Sequence, residues 1–450
     1  DVSLVNFIRI SYWHTYTADS NVLPFTAQGK QKVTVTGFTN GVLRVVDITN
    51  ANAPQELIGT VQQQGANFAL TVNVSQTGQR RLLAFASDRI LAANIKPNEP
   101  SNWNRANVNG EITMIAHDEF LDSVSDLQSF RASQGRSVAL VNIEDIYDEF
   151  NYGVESPWAV KDFLNRARTA WRQAPAFVLL AGDASADPRN YLGFGDFDFV
   201  PTKLVDTFQL ETASDNWFVD FNGDDIPEMA IGRLPVRTVE EADLLVAKII
   251  GYEQGPVAGW RNEVILAADD NELFDFEGAT ARVEALLPSN ISVTEILLGQ
   301  SDVGTAKNTL MNGINAGKLM VNYFGHGSVQ IWAKERLLQL SDTATMTNSD
   351  RLPFFNIMTC LNGFFHDLNL DSLAEGLLKA ENGGAVAVWA SSGFTATEVQ
   401  ADLGRTLFES LFGNEPLTIG EATLRAKQSI TNRDVLRTWV LFGDPVTKFQ

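Results

Sequence analysis

From Glu111 onward the chain repeats one rhythm, a short apolar run and then a longer amphipathic stretch, and this restricts it to folds built on a parallel sheet with crossover helices. Ile112 to Ala116 reads as a strand, Phe120 to Ser133 as a helix, Val138 to Asn142 as a strand, Pro157 to Gln173 as a helix and Phe177 to Ala181 as a strand. Helix Val239 to Tyr252 leads into Gln254-Gly255-Pro256, a cluster of breakers that reads as a boundary. The rhythm restarts with strand Val264 to Ala268, helix Phe276 to Leu287, strand Val293 to Leu298, helix Gly304 to Ala316 and strand Leu319 to Phe324. A strand ending at Cys360, helix Ser372 to Asn382, strand Ala385 to Ala390 and helix Ala401 to Phe412 follow. One segment departs from the pattern. Gly182 to Asp225 is polar, aromatic and too long for a plain connection, a property of functional loops.

Residues 1 to about 100 have another period. Lys32 to Thr36, Leu43 to Ile48 and Phe68 to Val74 alternate apolar and polar positions between turn-formers such as Thr39-Asn40-Gly41 and Thr77-Gly78. They predict an all-β, sandwich-like module, joined through Lys96-Pro97-Asn98-Glu99-Pro100-Ser101-Asn102. The expected organisation is therefore a β module over 1–105 and two side-by-side α/β subdomains with mostly parallel sheets over 106–255 and 256–450.

A net charge of −21 with no Lys/Arg-rich stretch argues against nucleic-acid binding, which needs cations to displace phosphate counterions. No run of about 18 apolar residues offers a membrane span, and residues 1–20 lack the basic start and apolar core of a signal peptide. The chain begins at Asp1, so a longer precursor is expected. One cysteine excludes a disulfide framework or a thiolate zinc cage, and four histidines make a multi-histidine zinc site a poor reading.

That cysteine, Cys360, closes the run Phe354-Phe355-Asn356-Ile357-Met358-Thr359, and Asn362-Gly363 turns the chain immediately after it. The run Lys318 to Phe324 ends in Gly325-His326-Gly327, where the glycines give a substrate backbone close access and leave amides free to face an oxyanion. If the two runs are neighbouring parallel strands, a thiol and an imidazole emerge together at the strand C-terminal edge, where open α/β sheets keep their active sites. A buried, inert cysteine and an incidental strand-end histidine are the alternative. His14, in the β module, and His117, ending the first α/β strand, carry no such context; His366 is the rival base, set aside because it lacks the glycine flanks.

Asn322-Tyr323-Phe324-Gly325-His326-Gly327-Ser328 with Trp332, and Cys360-Leu361-Asn362-Gly363-Phe364, resemble the histidine and nucleophile motifs of the gingipain-like cysteine peptidases, family C25 of the caspase-like clan. Leu180 to Ser185, Ala230-Ile231-Gly232-Arg233-Leu234-Pro235 and Phe442-Gly443-Asp444-Pro445 extend the resemblance over about residues 110 to 450. It implies a caspase-like fold whose second subdomain carries the dyad, with no organic cofactor and protein or peptide substrates, in a secreted or cell-surface setting. Cys360 would be the nucleophile and His326 the general acid and base, with the amides of Gly327 and Cys360 holding the oxyanion. The family's acidic residue that orients the histidine is expected at Glu228 as a buried carboxylate, with Asp215 as the fallback.

Phe324 departs from the small or polar residue of the best-known members, which leaves basic-residue specificity open, and Ser391, Ser392 and Gly393 are expected to line the pocket with it. Asp220-Phe221-Asn222-Gly223-Asp224-Asp225 spaces Asp220, Asn222 and Asp224 like half of a calcium loop, so a structural calcium ion is one reading and a plain Asn-Gly-Asp turn the other. The leading expectation is a cysteine endopeptidase. A transpeptidase of the same family that joins exported proteins to a surface anchor, and a non-catalytic adhesion protein on the same scaffold, are the alternatives. No Gly-x-Ser-x-Gly elbow and no phosphate loop is present.

Overall fold

A computed structural model describes residues 12–92, 98 and 100–449. Asp1 and the linker residues Lys96, Pro97 and Glu99 lie outside the described residues. The chain divides into two compact units, at Glu99 and Pro100.

The first unit contains strands β1 (Val22–Gln28), β2 (Gln31–Phe38), β3 (Leu43–Asp47), β4 (Gln55–Leu57), β5 (Gly59–Gln64), β6 (Asn67–Val74) and β7 (Gln79–Ala86). They form two antiparallel sheets, ordered β1-β7-β3-β4 and β2-β6-β5. Alternation decides which face is inside: Val33 and Val35 are buried and Thr34 between them is exposed. Val35, Phe38 and Leu70 of one sheet meet Val45, Leu82 and Ala84 of the other in a single core, which is the expected sandwich.

The second unit begins with β8 (Ile112–Ala116), α1 (Leu121–Ser133), β9 (Val138–Asn142), α2 (Ile143–Asn151), α3 (Pro157–Ala170) and β10 (Phe177–Ala181). The excursion after β10 contains the hairpin β11 (Lys203–Asp206) and β12 (Glu211–Ser214), then β13 (Ala230–Leu234) and α4 (Val239–Gln254). The second half continues with β14 (Glu263–Ala268), α5 (Phe276–Glu284), β15 (Ser292–Leu297), α6 (Val303–Ala316) and β16 (Met320–Phe324). Next come the short strands β17 (Gly327–Ser328), β18 (Ile331–Trp332) and β19 (Leu338–Gln339), with α7 (Leu340–Thr343) and β20 (Phe354–Met358). The unit closes with α8 (Leu373–Lys379), β21 (Ala387–Ser391), α9 (Thr397–Leu411), α10 (Ile419–Lys427), α11 (Arg433–Thr438) and β22 (Trp439–Phe442).

Ten strands make one sheet, ordered β15-β14-β16-β20-β21-β22-β13-β10-β8-β9. The expected boundary at Gln254 to Pro256 falls where α4 ends and the chain crosses to β14, and the two α/β halves share one sheet and one compact unit. Strands β8, β10, β16, β20 and β21 are buried at every residue, which is why they read as continuous apolar runs, whereas edge strand β9 alternates. β22 pairs antiparallel with β21 but parallel with β13, so the strands of the first half run opposite to those of the second. The C-terminal ends of the two halves therefore open on opposite rims of the same sheet.

Candidate functional site

β16 and β20 are parallel neighbours with Phe324 opposite Met358, and Gly325 N–H still donates to Met358 O at 3.3 Å. His326 and Cys360 each lie two residues beyond that last pair, so both emerge at the same rim. Cys360 is half-buried and His326 exposed.

The cysteine sits on a tight turn. Asn362 N–H donates to Cys360 O at 2.8 Å while Leu361 has φ 62°, the geometry of a positive-φ γ-turn, which is rare for a residue with a side chain. The neighbouring strand holds this turn: Leu361 N–H donates to Gly393 O at 3.1 Å and Gly363 N–H to Ser391 O at 2.8 Å. The Cys360 Sγ faces Thr395, 3.8 Å from its carbonyl oxygen and 3.9 Å from its Oγ1.

The histidine hairpin is anchored from below. Tyr323 stacks on Trp332 with ring centroids 4.4 Å apart, and its hydroxyl donates to His326 O at 3.0 Å. Ala333 N–H also donates to His326 O at 2.9 Å, which makes Gly327 and Trp332 the unbonded pair of the antiparallel ladder and turns the Gly327 N–H outward. Gly327 packs directly on the cysteine turn, since a Cβ there would come within 2.5 Å of Thr359 Oγ1. Asn362 Nδ2 completes the junction by donating to Ser328 O at 2.5 Å.

An acid that the sequence reading missed also stands at this rim. Asp269, the first residue after β14, accepts His326 N–H on Oδ2 at 3.0 Å and Asp270 N–H on Oδ1 at 3.0 Å. Burial pushes its carboxyl above the usual range. The His326 ring meets Phe276 edge-on at 5.3 Å. The signal was available: Asp269 follows an apolar run just as His326 and Cys360 follow theirs.

Several expected site residues lie elsewhere. Glu228 is exposed, not buried, and its Oε2 accepts Phe221 N–H at 2.8 Å. It precedes β13, four strand spacings or roughly 19 Å from the strand that leads to His326. Asp215 is consumed by a buried ion pair with Arg233 at 2.6 Å. Phe324 is in the core against Met358, where a Cβ on Gly404 of α9 would touch its ring at 2.9 Å. Ser391, Ser392 and Gly393 are buried too: Ser391 Oγ donates to Gly393 O at 3.0 Å and Ser392 Oγ to Ala213 O at 2.7 Å. They brace the cysteine turn, and the exposed wall beside Cys360 begins one residue later, at Phe394.

In the Asp220 loop, Asp220 accepts Gly223 N–H at 2.7 Å and Asp225 N–H at 3.1 Å, Asn222 Oδ1 accepts Asp224 N–H at 3.0 Å and Asp224 Oδ1 accepts Ile226 N–H at 2.9 Å. The oxygens that a calcium loop would use accept the loop's own amides in this structure. His366 is buried, and burial together with the Arg233 charge pushes it down to about 3, which removes it as a rival base near neutrality.

A family model described as peptidase family C25 matches residues 105–450. The chain belongs to peptidase family C25. Among curated proteins it is similar to gingipain R2 of Porphyromonas gingivalis, 23% identical over 361 residues, covering 75% of this chain and 45% of that protein. Gingipain R1 of the same organism is 24% identical over 361 residues, with 75% and 34% covered. This C25 chain thus spans less than half the length of the curated gingipains it matches. The crystal structure of the Arg-specific cysteine proteinase gingipain R aligns with TM-score 0.64 and 20% identity over 76% of this chain and 78% of that one, which shows the caspase-like fold. Dimeric latent PorU from Porphyromonas gingivalis aligns with TM-score 0.50 and 16% identity, covering 96% of this chain and 39% of that one.

Proposed function

We propose that this C25 chain is a cysteine endopeptidase in which Cys360 and His326 act on a peptide bond presented along the rim between β16 and β20. The observation that carries the reading is the register of those strands, which brings an accessible sulfur and an exposed imidazole to one rim. Cys360 gives up its thiol proton to His326 as Sγ attacks the scissile carbonyl, and the carbon–nitrogen bond breaks as His326 passes that proton to the departing amine. The thioester is then hydrolysed by a water that His326 deprotonates, which restores the thiol. The outward Gly327 N–H and that of Cys360 face the oxyanion. Asp269 positions the hairpin through the backbone N–H of His326.

An extracellular or cell-surface setting rests on the gingipain relatives, and so does the class of substrate. The side-chain preference at the cleaved bond has to be read from a positional-scanning peptide library, run with the native protein and with Cys360→Ala, each with and without calcium. Cleavage that disappears in Cys360→Ala is the expected result, and equal cleavage by both proteins would end the enzyme reading. Product mass in the same assay separates hydrolysis from capture of the thioester by an added amine.

A further inference from the structure

The first half has an open rim of its own. In the order β13-β10-β8-β9 the connections leaving β8 and β10 diverge, which opens a crevice beyond the C-terminal ends of those two strands. His117, the first residue after β8, donates its N–H to Ala181 O at the end of β10, at 3.3 Å. The excursion after β10 covers the crevice with Asp196, Asp198 and Phe199, leaving a cavity of about 180 Å³ that Tyr147 of α2 and Glu155 also line.

Two independent features point to a ligand. Tyr147, which lines the cavity, is only 3% exposed, yet its phenol hydroxyl has no hydrogen-bond partner among the described residues. Burial holds that phenol well above its ordinary pKa, and the charges of Asp198, Glu155 and Glu144 add to the shift. The second feature is charge: five carboxylates, Glu119, Glu144, Glu155, Asp196 and Asp198, line the cavity with it, and no lysine or arginine does. Asp198 is half-buried while Glu155 and Asp196 are exposed at the mouth. One wall is aromatic and rigid, with the His117 and Phe199 rings 5.0 Å apart and edge-to-face.

A shared metal ion does not fit these acids. Among the described residues, Asp269, Asp270 and Glu335 are the group whose ligand atoms converge within 4.8 Å, and Lys334 already stands over that group. The acids of the cavity stand farther apart, around a space several times the roughly 30 Å³ of a water. A flat or elongated organic cation suits them better, with its N–H groups toward Asp198 and the phenol oxygen and its apolar stem along Phe199.

We propose that this cavity is a second binding site, for an alkylammonium or guanidinium group. It lies about five strand spacings, roughly 24 Å, from Cys360 and on the opposite rim. Burial pushes the Asp198 carboxyl up to about 7, although its Oδ1 accepts Ser185 N–H at 2.9 Å. The same chemistry is offered by a basic side chain of a polypeptide and by a free polyamine.

Calorimetric titration of the full chain at pH 8 with butylammonium, butylguanidinium, N-acetyl-lysine amide and spermidine tests it, with butylurea as the neutral control and calcium chloride as the metal control. The cations should bind saturably and at least about tenfold more tightly than butylurea, with Asp198→Asn weakening them about tenfold and Tyr147→Phe about threefold. Tighter binding of the lysine amide than of spermidine assigns a polypeptide side chain, and the reverse order a free polyamine. Should Asp198→Asn fail to fold, Glu155→Gln at the exposed mouth serves in its place, with a weakening of about threefold expected. The proposal is overturned if no cation saturates, if butylurea binds equally, if the variants leave affinity unchanged, or if calcium alone displaces the cations at equal concentration.

Discussion

The two α/β halves share a strand order. In the first, the chain lays down β8, then β9 on one side, then β10 and β13 on the other; in the second, β14, β15, β16 and β20 repeat the same steps. Each half thus opens a crevice beyond its first and third strands, and because the halves run antiparallel the two crevices lie on opposite rims. What stands at the strand ends is different. The second half places Asp269 after β14, His326 after β16 and Cys360 after β20, whereas the first places His117 after β8, Gly182 after β10 and Pro235 after β13. One topology thus carries a thiol with an imidazole on one rim and an acid-lined cavity on the other. The sheet provides positions, and a few side chains at strand ends decide the chemistry.

The strongest way to break this contrast is Cys360→Ala. It should lower peptide cleavage by at least about 10⁴-fold while leaving cation binding at the first-half cavity unchanged, read by kcat/KM and by calorimetry on the same preparation. Loss of both would mean that the rims are not independent. Gly327→Ala comes next. The added Cβ meets Thr359 Oγ1 at 2.5 Å and pushes the histidine hairpin off the cysteine turn, so kcat should fall about 10²-fold with little change in thermal unfolding. An unchanged kcat would show that the seating of the histidine hairpin on the cysteine turn has no part in the reaction.

Asp269→Ala removes the acceptor of His326 N–H and should cost about tenfold in kcat, with KM nearly constant. Glu228→Ala, its counterpart across the sheet, should leave kcat where it is. If the two effects are reversed, the assignment of the acid returns to Glu228.

The smallest expected effect concerns His366, whose carbonyl accepts Ala186 N–H of the excursion that roofs the first-half cavity. The ring is pushed from 6.5 down to about 3. Above pH 6.5 it is neutral in both the folded and unfolded chains and contributes nothing. As pH falls toward 3 the unfolded chain takes up a proton that the folded one refuses, so stability declines by about 1.4 kcal/mol per pH unit. Urea unfolding of native protein and His366→Phe between pH 7 and 4 should show the native slope steeper by about one proton. Parallel slopes would mean that the ring protonates in the folded state.

Much of this fold was legible because central strands of a parallel sheet are covered on both faces. Ile112 to Ala116 and Phe177 to Ala181 were delimited from sequence with the observed ends for that reason. The shared rim of Cys360 and His326 was legible because both residues follow such runs. β22 was not read as a strand, since its Trp439 to Phe442 segment is short and its partners, β21 and β13, are distant in sequence. Helix α2 was missed because it begins directly on the last residue of β9, without a loop. The pocket residues failed for a different reason. Side chains alternate along a strand, and Phe324 falls on the face that α9 covers, which no spacing rule reveals without knowing where α9 lies. Glu228 was placed by motif alone, and a motif specifies neither burial nor distance across a sheet.

The final strand has a consequence for the order of assembly. β22 lies between β21 and β13, so the ladder that welds the two halves is made of residues 439–442, long after every other strand of the sheet has been synthesised. On a ribosome, the halves can collapse separately but stay unjoined until that segment has left the exit tunnel. Translation itself then acts as a timer, keeping the working rim unbraced on a nascent polypeptide until nearly the whole domain has been made.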